Sequence, residues 1–364
     1  MAQEKKRLLY IDIVKVIALI LMPIIHLDLV LFNMSEYYGL GTYQVDANLL
    51  GKITEIMYLF VPGIFMFCMG VGMAVSTHNT PTDYIKRGAK LLLIGFLLNV
   101  IRGFLLFGIW AIVVKDISFL YDGINWLLES DILYFVGLFS ILFGLLKKLK
   151  LSDGVILLIS VLMQIIGTLL PACDTGNGLV NSVIGNFVYS DSGSFFPVVL
   201  WTLYPVCGYL FQKKYMQAED KSKYMCKFAL LGAALFAVTV LALCLTGNWS
   251  TEYLLWGKHA FVMQTPSALM TIGLLNVYVT IWYFVSKVIE SFGKGNLISK
   301  IASKVNSIYC IHWVLEMEGV VLVLLLFDVT VCSIFWVFAG GIVIFIIGTL
   351  LAFSWDGIRR IKNN

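Results

Sequence analysis

Long apolar runs broken by short polar connections repeat along the whole chain, and the runs have the length of membrane helices. Counting predominantly apolar stretches of about 20 residues, ten stand out, at 8–33, 53–77, 88–113, 131–147, 153–171, 195–212, 228–247, 266–288, 305–327 and 329–354. Those near 131 and 195 are short, so their ends are the least defined. Inside a bilayer such a segment satisfies its backbone N–H and C=O groups only as a helix. The pattern therefore predicts an all-α, polytopic membrane helix bundle of about ten transmembrane helices. A single domain over residues 1–364 is expected, with no internal repeat, linker or appended soluble domain.

Composition narrows the class further. Hydrophobic residues make up 60% of the chain and charged residues only 13%, with a mean hydropathy of +0.89, which excludes an ordinary soluble domain. The net charge of +4 is spread over many short loops and carries no nucleic-acid signal. The seven cysteines show no CxxC or zinc-ligand spacing and mostly fall in apolar runs, so neither a metal site nor a disulfide framework is expected. The first apolar run is long and no small-residue cleavage pattern follows it, so no cleavable leader is expected.

The distribution of positive charge gives the orientation. Alternate connections hold groups such as Lys5, Lys6 and Arg7; Lys86, Arg87 and Lys90; Lys147, Lys148 and Lys150; and Arg359, Arg360 and Lys362. Of the 26 lysines and arginines, only Lys15, Lys52, Arg102, Lys115 and Lys258 fall outside these alternate connections. Lysine and arginine are retained on the cytoplasmic side of short loops, so both termini are expected there. The remaining connections, near 34–52, 114–130, 172–194 and 248–265, face outward. They carry Tyr37, Tyr38, Tyr43, Trp126, Trp249, Trp256 and His259, which suit sugar rings but are also enriched at any membrane interface.

Against this apolar background the titratable residues are costly, about 2.5–3.5 kcal/mol for a charge at the centre of a helix. The first run holds Asp12, Lys15, His26 and Asp28. Asp12 and Lys15 share a face near the inner leaflet, either as an interfacial ion pair or as part of an entrance. His26 follows Pro23 by three residues, where a kink and a freed Leu19 carbonyl are expected. At 1.5 Å per residue His26 lies about 27 Å beyond Leu8, close to the outer surface. Pro62, Gly63, Gly70 and Gly72 favour close approach or a cavity in the second run. The third run begins with Lys86, Arg87 and Lys90, either a topological anchor or a phosphate-binding cluster. It then takes Asn99 and Arg102 into the membrane, Arg102 binding cofactor or pairing with Glu55 or Glu316. In the ninth run His312 is expected in the inner half, Glu316 one turn outward on the same face, and Glu318 turned away.

These motifs carry a resemblance. The order basic residue, Asp12, Lys15, Ala18 and His26 resembles the opening signature of integral-membrane acyltransferases of the acyltransferase-3 type, with Lys15 and Val16 where that pattern has Arg and Gly. Arg87-x-x-Lys90 resembles their Arg-x-x-Arg element. "FFPVVLWTLYPVCGYLF" and "GKGNLISKIASKVNSIYCIHWVL" resemble their aromatic and Ser-x-Tyr-x-x-His helices. The glycine-rich second run and "SDILYFVGLFSILFGLL" are also similar to the heparan-alpha-glucosaminide N-acetyltransferase type. The resemblance implies transfer of an acyl group, expected to be acetyl, from cytoplasmic acyl-CoA to a hydroxyl or amine of an extracytoplasmic acceptor such as a saccharide. It implies His26 as base, with Lys86, Arg87, Lys90, Arg102 and Lys15 on the donor side and no metal. Asp12, His312 and Glu316 are further candidates. On physical grounds alone, a proton-coupled secondary transporter is the competing reading.

Overall fold

The computed structural model describes residues 8–39, 41–43, 49–190, 194–247, 264–293, 295–327, 329–331 and 333–362. Outside the described residues lie Lys5, Lys6, Arg7, Trp249, Trp256, Lys258, His259, Lys294 and Cys332. The side chains of Tyr37, Lys52, Glu55, Arg359, Arg360 and Lys362 lie outside them too.

Every expected apolar run forms a helix. In chain order these are α1 Leu9–Tyr38, α2 Leu49–Ala74 and α3 Pro81–Asn99, the last running through a π-helical turn, Val100–Leu105, into α4 Leu106–Val114. Then come α5 Ser118–Trp126, α6 Ile132–Lys148, α7 Asp153–Leu169, α8 Gly178–Gly185, α9 Val198–Trp201, α10 Leu203–Gln217 and α11 Lys221–Leu245. They are followed by α12 Thr265–Ser291, α13 Asn296–Ala302 and α14 Val305–Val314. A second π-helical turn, Leu315–Val320, leads into α15 Val321–Phe327, and α16 Ile334–Lys362 ends the chain. Among the described residues, seven helical stretches are long and apolar enough to cross a membrane: Leu9–Glu36, Ile56–Ala74, Pro81–Val114, Lys221–Leu245, Thr265–Ser291, Val305–Leu324 and Ile334–Trp355. The three other expected runs are shorter, 17 residues each in α6 and α7 and a pair broken at Thr202 in α9 and α10.

The helix ends follow from local chemistry. Thr80 and Asp83 close a reciprocal capping box with Pro81 at the first helical position of α3. Asp131, Ser152 and Asp220 cap α6, α7 and α11 by accepting backbone N–H bonds. α1 continues through Pro23 as one helix of 30 residues.

The contacts divide the chain into two compact units, one of residues 1–61 and 278–364, the other of residues 62–277, with the boundaries inside α2 and α12. In the first unit α1 packs on α16, α13 and α14. A Cβ on Gly341 would stand 2.7 Å from the Cα of Ile24, so only glycine lets α16 come this near to α1 beside His26. Asp12 accepts a 2.7 Å hydrogen bond from the Ser299 hydroxyl, tying α13 to the start of α1. Two short strands, β1 Thr42–Tyr43 and β2 Thr330–Val331, pair in parallel in the same unit. In the second unit the α2 and α10 backbones touch: a Cβ on Gly70 would lie 1.9 Å from the Pro205 carbonyl and one on Gly208 2.0 Å from that of Phe67. This is the small-residue contact expected of membrane helices.

Candidate active site

His26 and His312 are 286 positions apart in sequence, and their rings meet within the first unit. His26 Nδ1 lies 2.8 Å from His312 Nε2. His312 is buried, and its Nδ1 lies 3.2 Å from the Ile308 carbonyl one turn back on α14. A carbonyl only accepts, so the Nδ1 of His312 donates and, in the neutral pair, its Nε2 accepts the proton of His26 Nδ1. Behind them stands Glu316, fully buried on the π-helical turn. Its Oε2 is 3.6 Å from His26 Nδ1 and 3.9 Å from His312 Nε2. A π-helical turn re-aims side chains relative to a regular helix and recurs at functional sites. Glu318, two residues on, is only half-buried.

Aromatic residues fix the imidazole. Trp313 stacks on His26 with centroids 3.9 Å apart and planes at 24°, and its indole N–H donates to the Tyr309 hydroxyl at 2.8 Å. Asp28, two residues after His26, takes hydrogen bonds from the Tyr43 and Tyr58 hydroxyls, and the Tyr58 hydroxyl also lies 3.0 Å from the Ile25 carbonyl. The β1–β2 pair holds Tyr43 in place over Asp28.

The contact corrects one expectation. Spacing along the ninth run puts His312 in the inner half of its helix and His26 at the outer surface, yet the two rings touch. The reason is α13: the ninth segment begins at Asn296 with α13 alongside the start of α1. His312 then stands 16 residues into that segment, and His26 stands 17 residues into α1. His26 also has 12 further residues of α1 beyond it, so it is not at the helix end.

Lys86, Arg87 and Lys90 are exposed along one face near the start of α3. Lys15 is half-buried and Asp12 buried. Arg102 has its ion-pair partner within its own unit, and the side chain of Glu55 lies outside the described residues. Arg102 Nη2 lies 2.9 Å from Asp131 Oδ2, and its Nε and Nη2 donate to Asn99 Oδ1 at 3.0 and 2.8 Å. The guanidinium also lies over the Trp126 ring at 5.6 Å. Some 15 residues separate it from Arg87, about 22 Å along the helix.

Glu129 stands beside this cluster in the α5–α6 connection, buried, with burial pushing its carboxyl up to about 7 and Asp131 adding to the shift against Arg102. An acid whose folded value is raised weakens the folded state as pH rises through that range and is neutral in effect below its ordinary value. Glu129→Gln should therefore match the wild type in thermal midpoint at pH 4 and exceed it at pH 8. Equal midpoints at both pH values would show that the carboxyl is not held neutral.

The family model described as heparan-alpha-glucosaminide N-acetyltransferase, catalytic, matches residues 7–256. The chain belongs to that family. No curated protein matches the chain. Of the two acyltransferase types it resembles, the match selects this one, and with the seven long apolar helices it makes the chain a multi-pass membrane protein of acetyltransferase type. His26, Arg87 and Arg102 fall inside the matched region, whereas His312 and Glu316 lie beyond it. Trp313, Tyr309 and Tyr58 do not stand out in the sequence. Tyr309 and Trp313 flank His312 within "SIYCIHW", and that spacing is the one signal for them.

Proposed function

We propose that the protein transfers an acetyl group from cytoplasmic acetyl-CoA to a hydroxyl or amine of a saccharide on the opposite side of the membrane. The observation that carries this reading is the hydrogen-bonded His26–His312 pair backed by buried Glu316, with His26 inside the family-matched region. In the reaction the acceptor oxygen or nitrogen attacks the thioester carbonyl, a C–O or C–N bond forms, the C–S bond breaks and CoA leaves as thiolate. His26 takes the acceptor's proton, while His312 and Glu316 hold the ring and stabilise the imidazolium that results. All ten helical segments cross the membrane in this reading, the shorter α6 and α7 included, since about 17 residues is the lower limit of a span. Both termini are then cytoplasmic, with the exposed Lys86, Arg87 and Lys90 on the donor side to receive the nucleotide phosphates. Asp12 and Lys15, at the start of α1, belong to the cytoplasmic end as well. Arg102, engaged by Asp131 and Asn99, is left out of the donor set and acts as a brace.

The test is transfer of labelled acetyl from acetyl-CoA to hexosamine-containing saccharides by the purified protein in proteoliposomes, with donor and acceptor on opposite sides. Absence of transfer to any acceptor, in protein that binds acetyl-CoA, would overturn the transferase reading. On the donor side, Arg87→Ala with Lys90→Ala should raise the Kd for acetyl-CoA about 10- to 100-fold, as expected for two lost charge-assisted contacts. The salt dependence of binding should flatten as well. Unchanged affinity would make these residues a topological anchor only.

A further inference from the structure

The His26–His312–Glu316 group supports more than proton transfer. The chain has four histidines, and two of them, from helices far apart in sequence, turn ring nitrogens toward one carboxylate oxygen. The three atoms, His26 Nδ1, His312 Nε2 and Glu316 Oε2, form a triangle with edges of 2.8, 3.6 and 3.9 Å. Nitrogen and oxygen ligands on a tetrahedral zinc ion, at about 2.0–2.1 Å from the metal, stand about 3.3–3.4 Å apart, which is close to the mean spacing of this triangle. Two imidazoles and one carboxylate are also the donor set that suits zinc while leaving a fourth position open. The surroundings agree. His312 presents Nε2 and directs its other nitrogen at the Ile308 carbonyl, the supporting bond that orients metal-bound histidines. Trp313 stacks on His26 and restricts its rotation, and Glu316 is withdrawn from solvent.

We propose that His26, His312 and Glu316 form a binding site for a divalent transition-metal ion of the zinc class. The ion would use His26 Nδ1 and His312 Nε2, the two atoms of the present hydrogen bond, so metal occupancy and that hydrogen bond exclude one another. Zinc is thereby an antagonist of any proton transfer through His26. The inference stands apart from the transferase reading, because the ion can bind whatever reaction the protein performs. Cysteine spacing gives no hint of it, since none of the ligands is a cysteine.

The experiment is calorimetric titration of the metal-free, detergent-purified full chain with zinc chloride, followed by zinc X-ray absorption on the loaded protein. One equivalent should bind with nitrogen and oxygen scatterers only, two of them imidazoles. Glu316→Gln and His312→Ala should each weaken binding at least tenfold, whereas His78→Ala, which removes an exposed histidine elsewhere, should leave it unchanged. No binding by monodisperse wild-type protein, or a sulfur-dominated absorption spectrum, would overturn the proposal. Because both measurements are made on wild-type protein, that outcome does not depend on either variant folding.

Discussion

Replacing His26 with alanine is expected to lower acetyl transfer by about 10²- to 10⁴-fold, the usual contribution of a positioned acid or base, while leaving acetyl-CoA binding within about twofold. The asymmetry follows from placement: His26 is near the middle of α1, and the exposed Lys86, Arg87 and Lys90 that are assigned to the donor are on another helix. His312→Ala tests the same pair from the other side. His312 Nε2 fixes which nitrogen of His26 carries the proton, so its loss should reduce kcat with little change in KM for either substrate. Glu316→Gln keeps the side chain's size and removes its charge, and should fall between the two. The measurement is initial-rate transfer in proteoliposomes, with gel filtration and thermal midpoints to confirm folding. Turnover of folded His26→Ala near the wild-type rate would remove His26 from the mechanism.

Much of this arrangement is legible along the chain. Ten apolar runs predict ten helical segments, because a residue's hydropathy needs no knowledge of its neighbours in space. His26 also stands out as a candidate, since an imidazole in an apolar run has no cheap explanation. What the sequence does not show is contact. Nothing in the spacing of His26 and His312 says that they meet, and counting depth from Val305 sets them apart. The missing element is α13, a short helix whose polar Asn296, Ser299 and Lys300 disguise it as a loop although Ser299 bonds to Asp12. The two π-helical turns are invisible for a different reason. They are a matter of backbone hydrogen-bond register, and no residue pattern marks them. Arg102 itself reads toward a ligand because an arginine in a membrane run invites one, and its partner Asp131 lies at the very start of a run defined by hydropathy alone.

That pairing supports the second large effect. Arg102→Met should destabilise the folded protein by about 3–5 kcal/mol, the range seen when one partner of a buried ion pair is removed. Arg102 and Asp131 are 3% and 2% exposed, so neither charge is hydrated once the other is gone. Arg102 also holds Asn99, whose amide donates to the carbonyls of Leu127 and Glu129 at 3.4 and 3.2 Å. One guanidinium thus joins the π-helical turn to the connection between α5 and α6. Asp131→Asn should be milder, for two reasons. The amide oxygen can still accept from the Leu133 N–H and cap α6. Glu129, already within reach of Arg102 electrostatically, can also ionise and take over as counter-ion. Combining Arg102→Met with Asp131→Asn should restore part of the loss, because no unpaired ion then remains at that pair. Thermal midpoints of the three variants in one detergent would show this order, and independent, additive effects would mean that the two side chains do not act as a pair.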